Sequence, residues 1–210
     1  MYTLYYAPGA ASLVVHWLLL ELDVPFDARK VDTSAAEHKS ADYLRLNPNG
    51  LVPTLLLDGA PMFEAAAMVL HLADAHPAAQ LAPAANTVAR AHYYQWILHC
   101  ANTLQPAFRH WFYPNEAAGE ANAANAQASA CGRIEATWQR IDAHLAQSGP
   151  YLLGDNLSAA DFMLCMLMRW SRNMPKPATD WPALHAHAEL MKARPSFKTL
   201  YTREGLTEWA

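Results

Sequence analysis

Cysteine is scarce in this chain of 210 residues, and Cys100, Cys131 and Cys165 form neither a close pair nor a Cys-x-x-Cys motif. That speaks against a disulfide framework, a cysteine-based zinc site and dithiol exchange, and it suits a reducing compartment. Basic clusters are missing too. Lys and Arg number 15 against 19 Asp and Glu, a formal net charge of −4, so no stretch offers the positive face that a nucleic-acid backbone requires. No apolar run is long enough to span a bilayer: His16 and Glu21 interrupt "LVVHWLLLELDVPF", and no basic leader precedes it. A cytoplasmic protein is expected, with no nucleic acid, membrane or metal among its partners.

What is present is apolar material, 53% of the chain, enough to bury a sizeable core in one or two domains. "YTLYYA" and "FDARKV" read as short strands on either side of a helix from about residue 11 to 22, a βαβ unit with a parallel pair. A short polar helical stretch, 37–46, follows. "LVPTLLLDGAPMFE" then reads as two strands joined at Asp58-Gly59, since Asp-Gly supplies the positive φ that a tight hairpin turn needs. A helix from Glu64 to about Ala75 comes next. The order β-α-β-α-β-β-α is a thioredoxin-like arrangement.

"HPAAQLAPAAN", 76–86, carries no apolar period and marks a linker. Beyond it the strand signal disappears and helical spacing takes over: Trp96, Ile97 and Cys100, then Leu104 and Phe108, then Ile134, Trp138, Ile141 and Leu145. Alanine is the best helix former, so the Ala/Asn-rich "NEAAGEANAANAQASA" is expected to be helical. In "LSAADFMLCMLMRW", Ser158 and Asp161 sit at capping-box spacing before a run apolar on nearly every side. That helix should be central, with Asp161 as a cap in preference to a catalytic acid. The fold class is an α/β thioredoxin-like N-terminal domain over residues 1–78, a linker over 79–87, and an all-α C-terminal helical domain over 88–210.

Taken together, "YYAPGAAS", the run Asn47-Pro48-Asn49-Gly50-Leu51-Val52-Pro53, Glu64 at the start of a helix, the linker and "LSAAD" resemble the cytosolic glutathione S-transferases. The bacterial types whose N-terminus reads like "YYxPGACS" are the nearest in pattern, and the resemblance spans essentially the whole chain. It implies a glutathione S-transferase fold, glutathione as co-substrate, an apolar electrophile as the second substrate, and a homodimer. By the same resemblance the bond before Pro53 is cis and the Val52 backbone pairs with the cysteinyl part of glutathione. Glu64 meets the γ-glutamyl ammonium, the N–H of residue 65 receives the neighbouring carboxylate, and His38 or Lys39 meets the glycyl carboxylate. Residue 65 is Ala65, where the family usually carries Ser or a similar donor.

Two further departures concern the thiol. The bacterial class has Cys where this chain has Ala11, and His where it has Gln105. The remaining hydroxyls are Ser12, at the start of the first helix, and Tyr5, on the first strand. An unperturbed thiol is about 3% ionised at neutral pH, and lowering its pKa by about two units takes about 2.7 kcal/mol. A hydroxyl donating to an anion supplies about 1.5–3 kcal/mol and a helix N-terminus about 0.3–1, so Ser12 suffices on energetic grounds. Gln105, Phe108, Arg109, Trp111 and Tyr113 are expected to form the floor of the electrophile pocket facing Ser12, with Trp170 contributing. Other functions open to the same scaffold are a glutathione-dependent isomerase or dehalogenase, or a non-catalytic binding protein.

Overall fold

The computed structural model describes residues 1–209, with Ala117 described through its backbone alone. Two compact units emerge. The first joins Met1–Ala82 to the chain from Lys192 onward, and the second is Pro83–Met191. The sequence reading kept residues 88–210 together as one helical domain; in the structure the last of them belong to the first unit.

In the first unit, β1 (Tyr2–Tyr6), α1 (Ser12–Glu21), β2 (Phe26–Lys30), α2 (Ala41–Leu46), β3 (Thr54–Leu57), β4 (Ala60–Met62) and α3 (Ala65–Ala75) follow the order anticipated. The sheet runs β2-β1-β3-β4, with β1 parallel to β2 and antiparallel to β3, and β3 antiparallel to β4. Asp58 and Gly59, both at positive φ, make the hairpin turn between β3 and β4. Alternation along β1 sends neighbouring side chains to opposite faces: Tyr6 meets His16 of α1, centroids 4.9 Å apart, while Tyr5 meets Tyr43 of α2 at 5.8 Å. α1 is buried from Ser12 to Leu19. An apolar helix of this kind needs cover on several sides, and α10 (Pro195–Glu204) supplies the last of it. Trp17 packs on Phe197 with the rings tilted by 58° and donates its indole N–H to Ser196 Oγ at 2.9 Å.

The second unit is helical. α4 (Val88–His99) starts on a Thr87 cap and passes through one π turn, Cys100–Leu104, into α5 (Gln105–Phe112). α6 (Pro114–Ala118) ends at Gly119, at φ 69, so the Ala/Asn-rich stretch expected as one helix is broken there. α7 (Ala123–Ser148) then runs for 26 residues. α8 (Ala159–Trp170) is buried from Ala159 to Arg169 and is the central helix expected, with α9 (Pro182–Lys192) closing the unit. Asp161 is wholly buried and accepts hydrogen bonds from Ser158 N, Ser158 Oγ and Leu152 N at 2.8–2.9 Å. Its carboxylate is therefore fully occupied as a helix cap. Among the described residues no helix is long and apolar enough to cross a membrane.

Candidate glutathione site

The loop before β3 carries Val52 and is held by side chains from α2 and its flanks. Asn47 is 2% exposed; its Nδ2 donates to Leu51 O at 2.8 Å and its Oδ1 accepts from Asn49 N at 3.1 Å. Tyr43 OH donates to the same Leu51 carbonyl at 2.8 Å and is bonded to Thr54 Oγ1. Burial, above all, pushes the Tyr43 phenol up, so it stays a donor. Lys39 Nζ donates to Gly50 O at 2.7 Å. Gly50 has φ +57, and a Cβ there would lie 2.9 Å from the His38 carbonyl; no other residue fits. The loop ends at a cis Val52–Pro53 bond. Val52 makes no backbone hydrogen bond to the described residues, which leaves its N–H and C=O available to an extended ligand.

His38 and Lys39 were alternatives for one carboxylate. Lys39 is already engaged by the loop carbonyls, whereas the buried His38 Nδ1 has no partner among the described residues. Glu64 is exposed and sits at φ 75, ψ 105, a strained conformation for a residue with a Cβ, costing about 1–3 kcal/mol. It occupies the N-cap position of α3 without capping it through its side chain. Ala65, 6% exposed, opens that helix. α1 starts in the same way: its N-cap is Ala11, with no side-chain bond, whereas α2 of the same unit is capped by Ser40. No side chain caps the first turn of α1 or α3, although Leu13 N donates to Ala10 O at 3.0 Å; an uncapped helix N-terminus is suited to take up an anion.

The two hydroxyls expected at the thiol, Ser12 and Tyr5, both have partners within the chain. Ser12 is 0% exposed; its Oγ donates to Ala7 O at 3.0 Å and accepts from Ala7 N at 3.1 Å. A hydroxyl has one proton, and this one closes the turn from Ala7 to Ser12. Tyr5 lies on the α2 face of the sheet, its hydroxyl accepting from Arg29 at 3.1 Å, with the sheet between it and α1. In this structure, then, the Ser12 hydroxyl bonds the Ala7 carbonyl and Tyr5 packs on Tyr43 of α2. The sequence reading also missed Glu204: its Oε2 accepts from Gly9 N at 2.8 Å across 195 positions, a separation at which no local pattern gives warning.

Within the second unit, Gln105 opens α5 directly after the π turn, a local widening of the helix often found at functional sites. Phe108 is wholly buried and packs on Trp138, Trp170 and Phe112. Arg109 forms a two-pronged bond to Glu116, 2.7 and 2.5 Å, with its guanidinium 4.1 Å from the Tyr113 ring centre. Trp111 is half-buried and its carbonyl accepts from Gln127. Tyr113 and Phe112 are about half exposed, at 50% and 46%. Phe112, which the sequence reading passed over, joins Phe108 to Tyr113 in one aromatic row. Among the described residues no group of acidic, His and Cys side chains could hold a metal ion.

Residues 10–75 match the family model described as glutathione S-transferase, N-terminal domain, and residues 101–202 match glutathione S-transferase, C-terminal domain. The glutathione S-transferase GST-4.5 of Xanthomonas campestris is 33% identical over 207 residues, 97% of this chain and 98% of that one. The chain belongs to the glutathione S-transferase family. Among solved family members, a Sulfitobacter homolog with bound glutathione superposes with a TM-score of 0.90 at 27% identity, covering 99% of each chain. A beta-class glutathione S-transferase of Sphingomonas chungbukensis gives 0.85 at 30% identity, covering 98% of this chain and all of that one. Within the family's fold, then, the uncapped starts of α1 and α3 and the locked 47–53 loop are the features this chain brings to its thioredoxin-like unit.

Proposed function

We propose that this protein is a glutathione transferase that holds its co-substrate on the first unit and activates the thiol with backbone groups. The observation that carries the reading is Glu64. It is exposed, unpaired among the described residues and held at φ 75 in front of an uncapped helix, backbone strain of the kind that clusters at ligand clamps. Its carboxylate takes the γ-glutamyl ammonium, the first N–H groups of α3 take the neighbouring carboxylate, and the Val52 backbone takes the cysteinyl peptide. His38 faces the glycyl carboxylate, with Lys39 holding the loop beneath. This places the sulfur beside Ala11 at the start of α1. A charge-assisted bond from a first-turn N–H supplies about 1.5–3 kcal/mol and the helix N-terminus about 0.3–1. Together they cover the 2.7 kcal/mol or so needed for two pKa units, with no help from Ser12, Tyr5, or a cysteine and histidine at positions 11 and 105.

The second substrate is an apolar electrophile, for which the half-exposed Phe112 and Tyr113, backed by the buried Phe108 and with Gln105, Arg109 and Trp111 around them, supply a surface on the second unit. The same reading makes the protein a cytoplasmic homodimer, and the exposed Leu51 and Phe63 of the first unit suit an apolar contact between copies. The test is retention on immobilised glutathione together with turnover of 1-chloro-2,4-dinitrobenzene. Retention with turnover is the expected result. Failure to bind glutathione overturns the reading, and binding without turnover of any aryl, alkyl or unsaturated carbonyl electrophile replaces it with a binding protein.

A further inference from the structure

Glu204 is the last residue of α10, and its side chain, like that of His16, is 0% exposed. Charged groups persist in such a place only when every strong interaction is supplied. Here Oε1 lies 2.8 Å from His16 Nδ1 and Oε2 2.8 Å from Gly9 N. A carboxylate accepts, so Nδ1 carries the proton; the other ring nitrogen, Nε2, is buried with no partner among the described residues. The walls are aromatic: Tyr6 and Phe26 flank the imidazole at 4.9 and 5.5 Å, and burial, with the Glu204 charge second, pushes the Tyr6 phenol up. Farther along, Arg194 and Ser196 bond Glu21, so α10 is fastened to the middle and the C-terminal end of α1 and to the turn before it. Gly9 itself is at φ 69. It sits in a turn that also carries local ties: Ala10 N to Ala7 O, Leu13 N to Ala10 O and the Ser12 bridge.

We propose that Glu204, oriented by His16, is a positioning residue for thiol activation: through the Gly9 amide it sets the peptide planes that lead into Ala11 and the first turn of α1. The proposal rests on the thiol site described under Proposed function. Where backbone N–H groups do the activating, their direction is the catalytic variable, and a loosened turn weakens the thiolate more than it weakens binding of the rest of glutathione. Glu204 itself touches no substrate.

E204L fills the volume but removes the carboxylate that accepts from Gly9 N and His16 Nδ1. E204Q still accepts from Gly9 N through its carbonyl and donates to the Nδ1 lone pair of the other histidine tautomer. The expected result for E204L is a bound-thiol pKa raised by about one unit and kcat/KM at neutral pH lowered by about tenfold, with E204Q close to wild type. In both, turnover should converge at alkaline pH, where the thiol ionises unaided. A merely structural carboxylate would lower melting temperature without moving the bound-thiol pKa, and that outcome overturns the proposal, as does E204Q behaving like E204L. Exchange of the Gly9 amide in the ligand-free protein is the independent arm: it should be slow in wild type and E204Q. Fast native-state exchange removes the tie even if E204L fails to fold. Failure of wild type to bind glutathione, with Gly9 still protected, would instead strike the thiol site on which the proposal depends and overturn it there.

Discussion

Replacing Ser12 by alanine separates two physical roles for one hydroxyl. In the structure Ser12 Oγ accepts from Ala7 N and donates to Ala7 O in a fully buried turn. Its removal leaves the Ala7 N–H without an acceptor, whereas the Ala7 carbonyl keeps the Ala10 N–H at 3.2 Å. One buried unsatisfied donor costs about 1–3 kcal/mol. For a chain of this size each kcal/mol moves the melting temperature by about 2–4 °C, so Ser12→Ala should melt about 2–12 °C lower without ligand. The alternative role, donation to the glutathione thiolate, would leave the ligand-free melting point nearly unchanged and raise the bound-thiol pKa by about one to two units. Calorimetry on the free protein and ultraviolet titration of the bound thiolate, run on the same preparations, read both quantities. An unshifted melting temperature together with a thiol pKa raised by more than one unit would refute the assignment of Ser12 to the turn and restore it as the activating group.

Glu64→Ala should raise the Michaelis constant for glutathione by about tenfold or more with little effect on saturated turnover, because the contact is remote from sulfur and shared by ground and transition states. Glu64→Gly should lose affinity equally yet melt higher than Glu64→Ala, since glycine relieves the strain at φ 75; identical melting points would mean that the backbone there stores nothing. Cys100 is fully buried, and that burial, reinforced by Asp161, pushes its thiol from 9.0 up to about 12. The unfolded chain ionises first, so this contribution to stability is intact below about pH 9 and is lost as pH rises toward about 12. Denaturant midpoints measured across the alkaline range should fall for wild type and fall less steeply for Cys100→Ala; parallel slopes would contradict the assignment.

The thioredoxin-like unit was legible because its signals are local. An Asp-Gly pair reports its own turn, an apolar stretch broken at the right residues reports its own helix, and Ala11 and Ala65 report missing side chains at two helix starts. What the sequence leaves open is the direction of a polar group. Ser12 reads as a donor facing a ligand, whereas in the structure its hydroxyl bonds Ala7 O, five residues back, and Lys39 reads as a free cation until Gly50 O claims it. Tyr5 and Tyr6 are adjacent and chemically alike, yet the pleat sends them to opposite faces. Gly119 breaks a helix that alanine content alone would have carried through. Glu204 lies at the far limit, since nothing in "YTREG" announces a partner at Gly9.

Because α1 finishes its burial against α10, the first unit is assembled from two stretches separated by about 110 residues of the second. Synthesis proceeds at about 5–20 residues per second, so α1 waits about 5–20 s after Ala82 has been made before its last partner exists. Over that interval Trp17 has neither Ser196 nor Phe197 to cover it, and His16 has no carboxylate. The sheet and α3 can form during translation, but the turn at Gly9 acquires the Glu204 tie only once α10 has been made. A nascent chain stalled anywhere before α10 therefore exposes an apolar flank of α1 to chaperones, whereas the released chain does not.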